Sequence, residues 1–422
     1  MRLIRNKLFV FIFLFLIAAG VIFYEFNRIP GTLTFDEVDS AMLSLTLNTQ
    51  QYTPYSLLAT GHTTLYYYII LFSFKLFGVG NFALRFPSAL FGLLGSIVFY
   101  FIMARIYKNN IFVSVLASVI FSTSRWYFNF ARFSFEATFL LFLELVSIYF
   151  FINSIKSEQN KSRNLVFSGI FAGLAFNSYP PGRIFFLVPL FFLILEFKKK
   201  IKLNFNLAIK NLLIFLIPFI ILATPLSLYY LSSSGDDRVD KLFFWKNHEM
   251  SVGDKITGTI QNAGSISRML IDKGDLSGKH NYPGKAALNP LLALMFLAGI
   301  VITIKNSNRF ENRLFLIFFF AGILPSLAIY PWENPNMLRT HTAIAGIVYF
   351  ISVLLNELYK FLRKNKNINI YKSGLIFIVI LIALSTIYEL RTYFIYQASI
   401  FPTAFETKPE LTEALKHLNF DY

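Results

Sequence analysis

The sequence predicts an all-α polytopic membrane protein, and three observations lead there. Its 422 residues are 55% hydrophobic, 18% aromatic and only 15% charged. Apolar runs such as 8–24, 288–304 and 373–388 approach the ~20 residues that cross ~30 Å of hydrocarbon. No alternation of period two accompanies them. In lipid only helices and closed barrels satisfy their backbone groups, so a barrel is excluded.

In chain order, spans are expected near residues 8–24, 83–104, 111–124, 136–153, 164–178, 184–197, 211–231, 288–304, 314–330, 341–359 and 373–393. The first follows a basic Met1–Lys7 segment but lacks a small-x-small cleavage site, so it reads as an anchor rather than a signal peptide. One further apolar run, 64–77, is short and ends in Gly78-Val79-Gly80. The positive-inside rule decides its place. With that run kept on the outer surface, the inner segments hold 21 Lys+Arg against 4 Asp+Glu, and the outer segments hold 18 of each. Had it crossed, the Lys198–Lys200 and Arg363-Lys364 clusters would lie outside. The reading is therefore about eleven spans, with the N-terminus cytoplasmic, the C-terminus extracytoplasmic, and 64–77 interfacial or re-entrant. The net charge of +16 is then a cytoplasmic excess, and a nucleic-acid partner is unnecessary.

The whole chain, 1–422, reads as one transmembrane domain. It has a first outer loop at 25–82, a large outer loop at 231–287 rich in Gly, Ser, Asp and Lys, and an outer tail at 394–422. The segment 408–418 is expected to form an amphipathic helix on the same face. There are no cysteines, so disulfides, thiolate ligands and thiol nucleophiles are excluded.

The acidic cluster Phe35-Asp36-Glu37-Val38-Asp39 lies just beyond the first span. Adjacent Asp36 and Glu37 cannot point the same way, so one can act on substrate while the other orients a neighbour or holds a cation. The competing structural reading is a capping run, in which Thr34 or Asp36 caps a helix starting near Glu37. Four outward arginines stand out as phosphate ligands. Arg125 and Arg132 flank Trp126–Phe130, Arg183 closes Tyr179-Pro180-Pro181-Gly182-Arg183, and Arg339 lies in Asn334–His341. Against this, an arginine beside aromatics at the interface is often only snorkelling. Glu136, four residues after Arg132, suits sugar hydroxyls or an anchor for Arg132. His62 and His341 suit hydrogen bonding better than metal ligation, and His280 reads as a substrate-contacting loop residue. The carboxylates could hold a divalent cation or none, and the sequence requires no cofactor. No phosphate-binding P-loop or dinucleotide fingerprint is present.

These outer-face residues together resemble the polytopic glycosyltransferases that use lipid-phosphate-linked sugars, of the GT-C type. The nearest branches look like protein O-mannosyltransferases, glycosyltransferase family 39, and the lipid A aminoarabinose transferases. The resemblance is carried by Phe35-Asp36-Glu37, by Gly61-His62-Thr63-Thr64-Leu65-Tyr66-Tyr67, by Phe77–Gly92, and by Phe130–Glu136. It is close to about residue 155 and patchier beyond, at Gly274-Asp275, His280–Gly284 and Asn336–Thr340. Where the family commonly shows His-Pro-Pro or Lys-Pro-Pro, this chain has His62-Thr63-Thr64.

The resemblance implies a GT-C fold with interfacial juxtamembrane helices in the first outer loop, in a cell membrane. It implies a polyprenyl-phosphate sugar donor and a protein, glycolipid or wall-polymer acceptor. Asp36 would be the general base of an inverting transfer, with Glu37 orienting it or the acceptor. Arg125, Arg132, Arg183 and Arg339 would hold the phosphate, and Glu136, His62, Tyr66, Asp275 and His280 the sugar or acceptor. Two other readings use the same residues. A transporter or flippase of a lipid-linked anion would need charges at the bilayer midplane and repeated halves, which the sequence lacks. A non-catalytic assembly subunit would be favoured by loss of the acidic pair, which is present.

Overall fold

The computed structural model describes residues 7–58, 61–108, 110–200, 205–232, 242–404 and 410–420. After α1 (Lys7–Phe23) a loop leads to α2 (Phe35–Thr46). Thr34 caps α2: its hydroxyl accepts from the Glu37 N–H at 3.1 Å while Glu37 accepts from the Thr34 N–H at 3.0 Å. A short antiparallel hairpin pairs β1 (Tyr55–Ser56) with β2 (His62–Thr63). It feeds α3 (Leu65–Phe77), which Gly78 ends at φ +79°. Its 13 residues reach only about 20 Å, too short to cross hydrocarbon unaided.

The bundle continues with α4 (Asn81–Ile106), α5 (Ile111–Thr123), short α6 (Arg125–Phe130), α7 (Glu136–Lys156), α8 (Lys161–Phe176), α9 (Gly182–Phe185), α10 (Leu187–Lys200) and α11 (Phe205–Ser232). Then come α12 (Val252–Ile271), α13 (Pro290–Lys305), α14 (Phe310–Leu327), α15 (Ala343–Lys364) and α16 (Ile368–Arg391). A π-helical turn (Thr392–Gln397) joins α16 to α17 (Ala398–Ala404), and α18 (Leu411–His417) packs back on α2. Among the described residues six helices are long and apolar enough to cross a membrane: α4, α7, most of α11, α14, α15, and α16 with its extension to Phe401. The chain is a multi-pass membrane protein.

Packing is densest where α8 lies between α7 and α11, where α4 meets α7, and where α15 meets α13. Gly169 and Gly173, one turn apart on α8, let α11 approach closely. A Cβ on Gly169 would collide with the Phe215 carbonyl oxygen. Aromatic contacts fill the core, including Phe99 on Phe121 at 4.2 Å and Phe315 on Tyr349 at 4.0 Å.

The helices alternate so that polar contacts gather at two opposite ends. At one, Lys156 pairs with Glu311 at 2.6 Å, Lys161 with Glu196 at 2.9 Å, and Asn110 bonds Asn356. At the other lie α2, the hairpin, α6, the start of α7 and the loops around 280 and 336. That second end carries the acidic cluster.

Two features depart from the sequence reading. The loop 231–287 contains α12, a 20-residue helix whose Ser251 cap accepts from Asp254 N–H, and whose Ile266, Met269 and Leu270 are buried. The last long helix does not stop at 393 but runs through the π turn to Ala404. Of the expected helix at 408–418, residues 408 and 409 lie outside the described residues, and the remainder contains α18.

Candidate functional site

At the end of the bundle that carries α2 lies a cavity of about 340 Å³. Asp36, Asp39 and Ser40 enter it from α2, His62 from the hairpin, and Phe135 and Tyr179 from the connections before α7 and α9. Lys279 and His280 enter from one long loop, Glu333, Asn336, Leu338 and Arg339 from another. Three carboxylates therefore face two permanent cations.

Asp36 is partly exposed and forms an ion pair with Lys279. Desolvation, then the neighbouring Asp36 charge, raises the Asp39 carboxyl above its ordinary value, and His62 opposes the rise. Arg339 reaches the cavity edge with Nη2 on Glu333 Oε2 at 2.8 Å. His62 is held by Glu136, Nδ1 to Oε1 at 2.6 Å, and Tyr67 donates to the same oxygen at 2.9 Å. Glu136 itself is buried in the first turn of α7, where the helix dipole favours its charge.

Glu37 turns the other way, as its position beside Asp36 on a helix requires. It is fully buried and receives Arg85 Nε at 2.7 Å, Arg85 Nη2 at 3.1 Å and the Ser134 N–H at 3.1 Å, besides closing the cap. Arg85 also donates to the carbonyls of Pro30 and Thr32, both at 2.9 Å. A buried bidentate pair of this kind fixes α2 on α4 and aims Asp36 into the cavity. Glu37 thus orients Asp36 through the helix rather than touching the cavity.

Three of the four arginines expected at a phosphate are engaged elsewhere. Arg132 donates four hydrogen bonds to the carbonyls of Val21, Ile22, Tyr24 and Ile29, satisfying the C-terminal end of α1. Its guanidinium carbon lies 4.9 Å from the Phe394 ring centroid. Arg125 is buried against Asn281, the Ala286 carbonyl and Glu389. Arg183 bonds the Tyr230 hydroxyl and stacks over that ring at 4.8 Å. Only Arg339 lines the cavity.

Tyr66 is likewise turned away, its hydroxyl 2.6 Å from Ser88 Oγ, and it is the neighbouring Tyr67 that bonds His62. Asp275 is buried below the cavity wall. It accepts from His280 Nδ1, Ser277 N–H and Met337 N–H, each at 2.8 Å. Burial alone would raise its carboxyl, but His280 and these bonds hold it below the ordinary range. His280 does reach the cavity. Its Nε2 is buried without a hydrogen-bond partner among the described residues, so it can accept from or donate to a bound group. His341 lies outside, packed on Phe130 at 4.9 Å, and burial pushes its imidazole down to about 3. Among the described residues no three His, Asp or Glu side chains converge as a cation site.

The sequence assigned no site role to Lys279, Glu333, Asn336 or Arg85, and Asp39 entered only as part of the acidic cluster. An arginine near the start of an otherwise apolar span was the available signal for Arg85. Lys279 adjoins His280 in a short polar motif, but nothing there marks it over the other loop lysines.

Beside the cavity, sharing Tyr179 and Arg339 with it, runs a narrow apolar groove lined by Pro180, Pro181, Leu242, Phe243, Pro325 and Ile329. A polar chamber carrying both acidic and basic side chains thus adjoins an apolar slot.

Comparison with known proteins agrees with this architecture. Residues 61–224 match the family model described as dolichyl-phosphate-mannose-protein mannosyltransferase, a span that begins after the acidic cluster. The solved structure of the oligosaccharyltransferase AglB from Archaeoglobus fulgidus, in complex with an inhibitory peptide and a dolichol-phosphate, superposes with a TM-score of 0.56 at 15% identity. It covers 94% of this chain and 56% of that one, so the chain spans little more than half the length of AglB. ArnT from Cupriavidus metallidurans bound to undecaprenyl phosphate superposes with a TM-score of 0.53 at 14% identity, covering 93% of this chain and 76% of that one. No curated protein matches the chain. The fold is that of the GT-C glycosyltransferases.

Proposed function

We propose that the chain transfers one sugar from a polyprenyl-phosphate carrier to an acceptor hydroxyl or amine, with inversion, on the extracytoplasmic side of a cell membrane. The observation that carries this reading is the cavity itself. It sets three carboxylates, Asp36 among them, beside two cations, Lys279 and Arg339, and it adjoins an apolar groove. A lipid-linked phosphosugar has that same division, an anionic head on an apolar tail. The GT-C relatives caught with dolichol-phosphate and undecaprenyl phosphate support it.

In this mechanism the prenyl tail occupies the apolar groove and the phosphate meets Arg339 and Lys279. Asp36 accepts the proton of the acceptor O–H or N–H. The acceptor atom bonds the anomeric carbon, the carbon–oxygen bond to phosphate breaks, and its electron pair leaves on the phosphate. Negative charge grows on that phosphate in the transition state, where fixed cations are most effective. Lys279 already touches Asp36, so it can pass between the base and the arriving phosphate without a large movement. His280 Nε2 and Asn336 offer hydrogen bonds to sugar hydroxyls.

The eleven-span topology belongs to the same proposal. It puts the N-terminus in the cytoplasm, and the cavity, the 25–82 and 231–287 loops and the tail outside, and it treats 1–422 as one transferase domain. The test is binding and turnover of a panel of polyprenyl-phosphate sugars by purified protein, counting slow hydrolysis as turnover. Saturable binding with sugar release supports the enzyme. A well-folded sample that binds none of them would remove it.

A further inference from the structure

The loop that brings Lys279 and His280 to the first cavity has another side. There a second cavity of about 340 Å³ is lined by Tyr282, Lys285, Tyr388, Arg391, Thr392 and Tyr396. Two cations and three phenols face it, with no carboxylate among its described lining residues. Elsewhere at this end Arg85, Arg125, Lys279 and Arg339 each have a carboxylate partner, and Arg132 and Arg183 donate to carbonyls and to a phenol. Lys285 and Arg391 have none among the described residues and rest on rings instead: Lys285 Nζ is 4.5 Å from the Tyr388 centroid, and the Arg391 guanidinium carbon is 5.2 Å from that of Tyr396. Such ring contacts orient a cation without neutralising it. Two like charges sharing one cavity repel, and an anion between them relieves the repulsion.

The backbone is built to gather these groups. The π turn at Thr392–Gln397 widens the helix just past Arg391, bringing Tyr396 to the same side as Tyr388 and Thr392. Turns of this kind recur at functional sites. The neighbouring face of the helix is apolar and uncovered, with Ile387 and Ile395 each more than half exposed. A cavity beside that face, near the C-terminal end of a helix long enough to cross a membrane, is expected at the level of lipid headgroups.

We propose that Lys285 and Arg391, framed by the tyrosines, form a second anion site, separate from the Asp36 cavity, that takes the phosphate headgroup of an anionic lipid. The guanidinium supplies paired donors and the ammonium a point charge, the combination suited to a phosphodiester at an interface. The site stands independently of sugar transfer, since it needs neither donor nor acceptor.

The test is native mass spectrometry of the purified full chain in detergent, titrated with phosphatidylglycerol or phosphatidylcholine. One saturable phosphatidylglycerol adduct is expected, held about tenfold more tightly than phosphatidylcholine, the ratio that one charge-assisted contact supplies. Lys285→Met with Arg391→Gln should erase that preference. Lys285→Arg with Arg391→Lys should keep it, as should neutralising Arg309 and Lys360 at the far end. Adding millimolar inorganic phosphate distinguishes the sources. An undisturbed adduct supports a lipid headgroup, whereas full competition would overturn the lipid assignment in favour of a free phosphate ligand. Equal retention of the two lipids by wild type overturns the proposal even if the neutral variant fails to fold, as does an unchanged preference in that variant.

Discussion

Replacing Arg132 with alanine should destabilise the protein without weakening its grip on a lipid-phosphate donor. The guanidinium is fully buried and donates to four carbonyls at and just beyond the end of α1. Removing it strands acceptors that no other described group reaches. Two of the four, at Val21 and Ile22, are buried, and each buried acceptor left unsatisfied costs about 1–3 kcal/mol, so this pair comes to about 4 kcal/mol in mid-range. The loss of ring contact with Phe394 adds to this. In domains of 150–250 residues each kcal/mol lowers Tm by roughly 2–4 °C, and longer chains shift less, so a fall of roughly 4–8 °C is expected. Arg132→Lys, a point charge that cannot span four carbonyls, should fall between. The assay is a thermal melt by fluorescence-detected size exclusion, paired with donor binding by the fraction still folded at low temperature. Donor affinity should stay within about twofold, because Arg132 does not line the cavity. A variant that melts like wild type but loses donor binding would refute this, and would return Arg132 to the phosphate.

Lys279→Met and Arg339→Gln should each weaken donor binding by about tenfold or more, the loss expected for a charge-assisted contact to phosphate, as read by titration with a polyprenyl-phosphate sugar. Unchanged affinity in both would separate the cavity from the donor. Asp275→Asn should cost about 2–4 kcal/mol near neutral pH, because it weakens a buried link between His280 and Met337 N–H. The Asp275 carboxyl is depressed in the folded chain, so its contribution is complete above the unfolded value of about 3.9 and is lost as pH falls through the lower folded value. The gap between wild-type and variant melting curves should therefore be flat from pH 7 to 5 and shrink only below about 4; a gap that widens on acidification would contradict the assignment. Tyr66→Phe should leave transfer unchanged and cost about 1 kcal/mol for its lost Ser88 bond, whereas Tyr67→Phe should depress transfer by loosening His62 and Glu136.

The fold was legible because lipid imposes a coarse rule that composition alone obeys. Runs of apolar residues must be helices, and α3 is one of them. The helix α12 was hidden for the converse reason. Its apolar positions are spaced through a Gly- and Ser-rich stretch that reads as loop until a surface is available to bury them.

Within the site, the acidic cluster announced itself, and the two competing readings of it divide between its members. Glu37 closes the cap and binds Arg85, while Asp36 faces the cavity. The arginines misled because guanidinium chemistry is shared by phosphates and by carbonyls at helix ends. Sequence gives the charge but not which acceptors the fold will bring within 3 Å. Arg132 found the end of α1 across more than a hundred residues of chain, and no local pattern encodes that meeting. Lys279 stayed hidden for the same reason, since its partner Asp36 lies at the other end of a long loop closure.

Asp36, as the group that takes the acceptor proton, is the pivot of the proposed mechanism. The deciding measurement is donor binding and sugar transfer by Asp36→Asn, in a sample whose melting temperature matches wild type, with Asp39→Asn beside it. The account predicts donor affinity within about threefold of wild type and transfer reduced by about 10²–10⁴-fold in Asp36→Asn, the contribution of a positioned general base. Asp39→Asn should retain most activity. Transfer by Asp36→Asn close to the wild-type rate, with donor bound, would contradict the central claim.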